Sequence, residues 1–309
     1  MFKKIKEKLK WIDPFTYVDN FILPKIDSAS EKIQWFVFGA SYFILLILAF
    51  FTMGFTALVF GLITLIYVYI FVFEKEEAVH WAVYMLSAFV FAFILYHFVL
   101  VFLLGTSAPL VIIYSGSMEP VLYRGDIVML SSADNLELNE AVVDFDVRNL
   151  GIKDLGELAV VYENGAYRQS AIKIKGKEYL FDKNGPIVVY YSEMQNRDII
   201  HRAVLKLKAP DGDYLITFGD NNPVIDQFCT ENPTPESCIS PNVISTEKLR
   251  GKYVIHVPFL GYVKLLFFDD VPWIASCAFN LWQDPGKMIS CMGTSADNRF
   301  QFVRVNSFK

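Results

Sequence analysis

The chain is 309 residues long, carries a formal net charge of −5 and is 54% hydrophobic, with 28 Phe and 16 Tyr. That length holds one or two ordinary domains, and the apolar share is above that of a soluble globular domain. The mildly acidic balance gives no reason to expect nucleic acid as a partner.

The first 33 residues form a basic tail containing Lys3, Lys4, Lys6, Lys8, Lys10, Lys25 and Lys32. From Gln34 to Phe73 there is no Asp, Glu, Lys, Arg or His. At a helical rise of about 1.5 Å per residue this run reaches about 60 Å, enough to cross a hydrocarbon core about 30 Å thick twice. Thr52-Met53-Gly54-Phe55-Thr56 is the natural reversal, and a second apolar run, Val79 to Leu104, has only His80 and His97 as titratable residues. These runs predict three transmembrane helices, at about 35–53, 55–73 and 79–104. The two histidines read as helix-contact residues, because three spans with two histidines are thin machinery for a transporter. The first inter-helix turn has no positive residue and the second, Glu74-Lys75-Glu76-Glu77, has one. Against the lysine-rich tail, these counts put the N-terminus in the cytoplasm and everything after about Leu104 on the outer face. The tail is too charged, and the spans too long, for a cleaved secretory signal.

Beyond Leu110 the pattern changes to short strand-like pieces separated by Gly, Asn and Asp: Val111–Tyr114, Ile127–Leu130, Ala159–Tyr162, Ala171–Ile174, Ile187–Tyr191, Ile199–Leu207, Tyr214–Phe218 and Lys252–Val257. Their β-branched and aromatic content predicts a mainly β domain over 105–262. The polar stretch at about 131–184 reads as an insertion or small subdomain. The extension 263–309 contains Asp269-Asp270. An aspartate at a helix centre costs about 2.5–3.5 kcal/mol on insertion scales, so a fourth span is disfavoured. That extension either packs on the domain or lies along the membrane surface.

All four cysteines, Cys229, Cys238, Cys277 and Cys291, fall in the region assigned to the outside. Nearest-neighbour pairing gives Cys229–Cys238 and Cys277–Cys291, one of three possible connectivities, with free buried cysteines as the alternative. Zinc is disfavoured, since there is no close Cys-x-x-Cys pair and few histidines lie nearby.

Tyr114-Ser115-Gly116-Ser117-Met118-Glu119-Pro120 sets a serine beside glycine and before a proline turn, directly after a membrane span. A serine hydroxyl needs a base to take its proton, and the base needs a partner to orient it. The outer region offers two histidines, His201 and His256, each in a strand-like context where alternation alone makes it an ordinary strand residue. The turn Phe218-Gly219-Asp220-Asn221-Asn222-Pro223-Val224-Ile225-Asp226 carries two aspartates among ordinary turn formers.

Five segments occur in one order: Ser115–Pro120, Arg124-Gly125-Asp126-Ile127-Val128, Ile200-His201-Arg202-Ala203-Val204, Gly219-Asp220-Asn221-Asn222, and Gly251-Lys252 through Pro258-Phe259-Leu260-Gly261-Tyr262. Together they resemble the ordered boxes of type I signal peptidases, over roughly Val111 to Tyr262. His201 stands at the box that holds the general base, so the resemblance is to the archaeal and endoplasmic-reticulum branch, which uses histidine where the usual bacterial form has lysine. The resemblance implies a membrane-anchored serine endopeptidase that removes signal peptides from exported preproteins, cutting after small uncharged residues. It implies Ser117 as nucleophile and His201 as base, with Asp226 and Asp220 as the orienting and supporting acids; which does which stays open. The Ser117 N–H and the Ser115 hydroxyl would hold the oxyanion. Gly116 would let the substrate backbone approach, with Pro120 and Met118 beside it, Met118 packing at the membrane side. Asn221 and Asn222 would brace the turn.

No metal or organic cofactor is implied. The partners implied are preproteins, the lipid bilayer and accessory subunits, at the cell membrane or, as the alternative, the endoplasmic-reticulum membrane. A histidine base works only while neutral, so activity should fall on acidification. Val121 replaces the family's usual threonine, and Gly185-Pro186 stands where Gly-Asp is usual. Two other readings keep the scaffold: a peptidase dedicated to one surface or matrix protein, and a non-catalytic membrane adaptor. Retention of Ser117, His201, Asp220 and Asp226 together argues against the adaptor.

Overall fold

The computed structural model describes residues 13–265, apart from 54–56, 75–76, 164–165, 231 and 236. The pairing expected for Cys277–Cys291, the first lysines of the tail and nearly all of the C-terminal extension lie outside the described residues. The chain divides into two units, Met1–Leu100 and Val101–Lys309.

The first unit is helical. Helix α1 spans Glu31–Met53, α2 spans Ala57–Phe73, and α3 runs from Ala78 to Leu104 with a wider-turned stretch at Leu95–Leu100. By length and composition α1 (over Glu31–Ala49) and α3 suffice to cross a membrane; the apolar stretch Gly61–Phe73 of α2 is shorter. Phe36, Phe43, Leu65, Val72 and Phe98 point outward and are exposed. Apolar side chains on the outside of a helical unit call for an apolar surround. Inside, Leu45, Tyr67 and Ala82 pack together, and the buried Ser41 and Tyr67 hydroxyls satisfy each other at 2.9 Å. Three short helical pieces, Pro14–Tyr17, Val18–Ile22 and Leu23–Asp27, precede α1. They lay Val18 and Leu23 on Val79 and Val83 of α3. His80 Nε2 meets Asp27 Oδ1 at 2.6 Å, which gives this intrahelical histidine a structural partner.

The second unit is built on an eight-stranded sheet. Its strands are β1 (Leu110–Ile112), β2 (Ile127–Ser131), β3 (Glu140–Val142), β7 (Ile187–Ser192), β8 (Arg197–Ala209), β9 (Gly212–Phe218), β10 (Ile244–Ser245) and β11 (Leu249–Val257). The order is β1-β2-β11-β7-β8-β9-β10, with β3 running parallel to β8 along the stretch of its edge that β7 leaves free. The region expected as an insertion contributes β3 to this sheet. It also forms a separate three-stranded sheet from β4 (Glu157–Glu163), β5 (Ala166–Ile174) and β6 (Lys177–Leu180). Cys229 and Cys238 are joined by a disulfide.

The register of the long strand β8 governs the two faces of the main sheet. Tyr190 pairs with Ile199, Val188 with His201, and Ala203 with Thr217. Alternation along strands then puts Tyr190, His201 and Thr217 on one face. Val188, Tyr190, Ala203 and Leu215 form a core cluster there. After Ala203 the register slips by one residue at Val204, and Leu205 and Leu207 turn to the other face. There they join Ile216 and Phe218 of β9 and Ile172 and Ile174 of β5. The small sheet therefore packs on the main one through a shared apolar core.

Gly185, at the departure from the family pattern, lies against β8: a Cβ there would sit 2.0 Å from the Ala203 carbonyl oxygen. No flexible side chain can yield at that point, because the obstacle is backbone. Gly185→Ala is expected to destabilise the protein by about 1–3 kcal/mol, the usual scale of overpacking. A lowered thermal midpoint in detergent checks this, and an unchanged midpoint contradicts it.

Candidate active site

The site is assembled from two loops and one strand. The first loop follows β1. Its turn is closed by Glu119 N donating to Gly116 O (3.2 Å) and Val121 N donating to Met118 O (2.9 Å). The second loop joins β9 to Asp226. Phe218 and Ile225 bridge across its base, and Asp226 N donates to Thr217 O at 2.9 Å. That closure brings Asp226 back beside Thr217, on the same sheet face as His201. The loops are tied to each other: Asn221 N donates to Ser117 O at 2.8 Å and Asn221 Nδ2 to Gly116 O at 3.1 Å. Gly219 permits the approach, since a Cβ there would fall 2.9 Å from Ser117 O and 2.5 Å from Asn222 Nδ2.

Within this frame His201 Nε2 lies 2.9 Å from Ser117 Oγ, and His201 Nδ1 lies 2.7 Å from Asp226 Oδ2. His201 and Asp226 are each 2% exposed. With the carboxylate accepting, Nδ1 carries the proton and Nε2 presents its lone pair to the serine hydroxyl. Asp226 Oδ2 also accepts from Tyr190 Oη and Thr217 Oγ1, both at 2.7 Å. Its Oδ1 is buried with no hydrogen-bond partner among the described residues, so the orientation of the carboxylate rests on Oδ2. Burial first, and then the Asp226 charge, push the Tyr190 hydroxyl well above the ordinary phenol range, which keeps it a donor. Ser115 Oγ sits 3.2 Å from Ser117 Oγ.

Asp220 lies elsewhere. Arg202, the next residue after His201, points to the opposite face by strand alternation. It grips Asp220 with two bonds, Nε to Oδ1 at 2.7 Å and Nη2 to Oδ2 at 2.6 Å. The same guanidinium donates to Gly185 O at 2.7 Å. Of the two aspartates left open by the sequence, Asp226 is thus the one on His201, and Asp220 is the one on Arg202.

No family model matches the chain. It is similar to the signal peptidase complex catalytic subunit of Colletotrichum graminicola, 24% identical over 174 residues, which is 56% of this chain and 72% of that protein. The corresponding subunit of Sclerotinia sclerotiorum is 28% identical over 167 residues, 54% of this chain and 67% of its own length. That of Pyricularia oryzae is 26% identical over 174 residues, 56% and 72% respectively. The chain is thus similar to proteins named as catalytic subunits of a signal peptidase complex.

The other residues expected from that family's boxes fall as follows. Gly116 gives its carbonyl to Asn221, and the Glu119 carboxylate lies over its α-carbon. Pro120 is exposed. Met118 corrects an expectation: it is fully buried among Ile113, Leu122, Val128, Leu130, Ile187 and Val189. It is a core residue of the domain, not one facing the membrane or an open substrate groove. Asp126 is fully buried and accepts from Tyr123 N (2.9 Å) and Phe259 N (3.1 Å), which joins two of the segments that carry the resemblance. His256 is bonded to Tyr253 Oη at 3.0 Å and lies 3.9 Å from Asp126 Oδ2, while the histidine on Ser117 is His201. Tyr190, Thr217 and Arg202 escaped attention in the sequence. Tyr190 and Thr217 join the site only through strand register, and Arg202 was visible merely as the neighbour of His201.

Proposed function

We propose that the chain is a membrane-embedded serine endopeptidase that removes N-terminal signal peptides from exported preproteins. The observation that carries the reading is the continuous path Ser117 Oγ to His201 Nε2 to Asp226, at 2.9 Å and 2.7 Å, within residues that match the ordered boxes of a signal peptidase. Ser117 Oγ attacks the scissile carbonyl carbon as His201 Nε2 takes its proton. The tetrahedral oxyanion is held by the Ser117 N–H and the Ser115 hydroxyl. On collapse the C–N bond breaks, His201 gives its proton to the leaving amine, and the signal peptide stays as an ester on Ser117. Water, deprotonated by the same imidazole, hydrolyses that ester. Asp226 holds His201 in the tautomer this needs and stabilises the imidazolium. Asp220 fixes Arg202 and, through it, the Gly185 corner. Gly116 and Pro120 border the place where substrate backbone lies.

In this reading α1, α2 and α3 cross the bilayer, the N-terminus is cytoplasmic and the β-rich unit works on the extracytoplasmic or lumenal side. The lysine bias of the tail and the charge-free run through α1 and α2 support it. The similar proteins are named as catalytic subunits of a signal peptidase complex, which supports accessory subunits as partners here too. Purified protein incubated with a preprotein in detergent micelles should release the mature chain, with N-terminal sequencing placing the cut after a small uncharged residue. A preprotein left intact, or cut only elsewhere, contradicts the reading.

A further inference from the structure

The loop that carries Asp220 and Asp226 is held from a second side. Gln169 N, on β5 of the small sheet, donates to Pro223 O at 3.2 Å, and Gln169 Oε1 accepts from Ile225 N at 2.8 Å. Gln169 is 7% exposed. Its neighbour Arg168 donates from Nη2 to Asp220 O at 2.7 Å and lays its guanidinium over the Phe218 ring, 4.5 Å from the centroid. Two consecutive residues thus contact the loop's base at Phe218, its acid at Asp220, and the two positions Pro223 and Ile225 that lead into Asp226.

The strand is shaped for this. Between β4 and β5 the register slips, with Ala159 opposite Ala171 but Val160 opposite Gln169, leaving Ser170 as an extra residue. Such a bulge bends its strand and re-aims the residues beside it. Here Ser170 O is taken by Phe181 N at 2.8 Å, and Gln169 gives its amide to the loop. Ile172, Ile174 and Phe181 of the same region pack in one core with Phe218 and Ile225, so the contact is anchored by apolar burial on both flanks.

We propose that the three-stranded sheet is a built-in clamp on the acid loop, with Gln169 and Arg168 acting as positioning residues for Asp226 and Asp220. It rests on the peptidase reading above. Their bonds to Asp220, Pro223 and Ile225 fix the path of the chain just before Asp226, whose carboxylate must meet His201 Nδ1. Displacement of a catalytic group by about 1 Å costs on the order of a hundredfold in rate, so a loosened loop lowers turnover without weakening substrate binding. A residue that merely supported the fold would leave kcat per folded enzyme unchanged.

The test uses full-length protein in detergent, with Gln169→Met, which keeps volume and removes the acceptor for Ile225 N, and Arg168→Met as the second variant if the first does not fold. The expected result is a fall in kcat of about tenfold on a preprotein with KM unchanged. Hydrogen exchange in peptides covering 219–227 should be faster than in the wild type. Wild-type kcat and exchange in the folded variants, or an effect confined to KM, overturns the clamp. Failure of the wild type to cleave would instead remove the peptidase reading, and the exchange measurement would still decide whether Gln169 and Arg168 hold the loop.

Discussion

Asp226→Asn is expected to lower kcat by about 10³–10⁴-fold while leaving the protein folded and KM little changed. An asparagine amide placed against His201 Nδ1 donates where the carboxylate accepted. The imidazole then adopts the other tautomer and turns an N–H toward Ser117 Oγ, which removes the base. The imidazolium formed during attack also loses its counter-charge. Tyr190 Oη and Thr217 Oγ1 lie 2.7 Å from the same Oδ2, and a hydroxyl accepts as well as donates, so an amide N–H placed there still finds partners and the side chain should stay in place. Asp220→Asn should behave differently. It halves a bidentate pair whose side chains are only 14% and 15% exposed, and breaking such a buried pair costs stability. A lower thermal midpoint, with at most about a tenfold loss of kcat in the folded fraction, is the expected outcome. Steady-state kinetics and thermal unfolding of both variants in one detergent separate the two aspartates. Equal losses of kcat with equal stabilities would contradict their assignment to different partners.

The two aspartates show where the sequence stops being legible. Both sit in a turn rich in Gly, Asn and Pro, and composition gives them the same standing. What separates them is the alternation of β8: His201 and Arg202 are adjacent in sequence but open onto opposite faces, and the loop sends one acid to each. That outcome depends on the closure of Phe218 on Ile225 and on the pairing of Ala203 with Thr217, which are contacts across the sheet. Tyr190 and Thr217 were hidden for the same reason. Each is a plain strand residue until register brings its hydroxyl to Asp226.

Other features depend on local pattern and were readable. The charge-free run from Gln34 to Phe73 falls in α1 and α2, because it is apolar over helical lengths and holds no charge that would draw it into water. The β-branched runs around Ile187, Ile199 and Tyr214 become β7, β8 and β9, since their apolar periodicity suits burial on a sheet. The strands that sequence reasoning passed over, β3, β6 and β10, are short or polar and exist through their partners: Ile244 and Ser245 make a strand only against Leu215 and Tyr214. β5 extends further back than its apolar part, through Tyr167, Arg168 and Gln169, because β4 and the acid loop hold those residues. Met118 misled because a methionine next to a nucleophile and after a membrane span looks surface-bound; in the fold its segment turns inward over Ile113 and Leu122.

The most direct measurement of the central claim, that Ser117, His201 and Asp226 form one proteolytic set, is preprotein cleavage by purified Ser117→Ala beside the wild type. Removing Oγ deletes the hydroxyl that lies 2.9 Å from His201 Nε2, and loss of the nucleophile in a set of this kind costs on the order of 10⁶ in kcat. Ser117 is half-buried and its backbone bond to Asn221 survives the change, so unfolding temperature should match the wild type. The expected result is a folded variant with no detectable mature product under conditions where the wild type processes the preprotein fully. Undiminished cleavage by Ser117→Ala would contradict it.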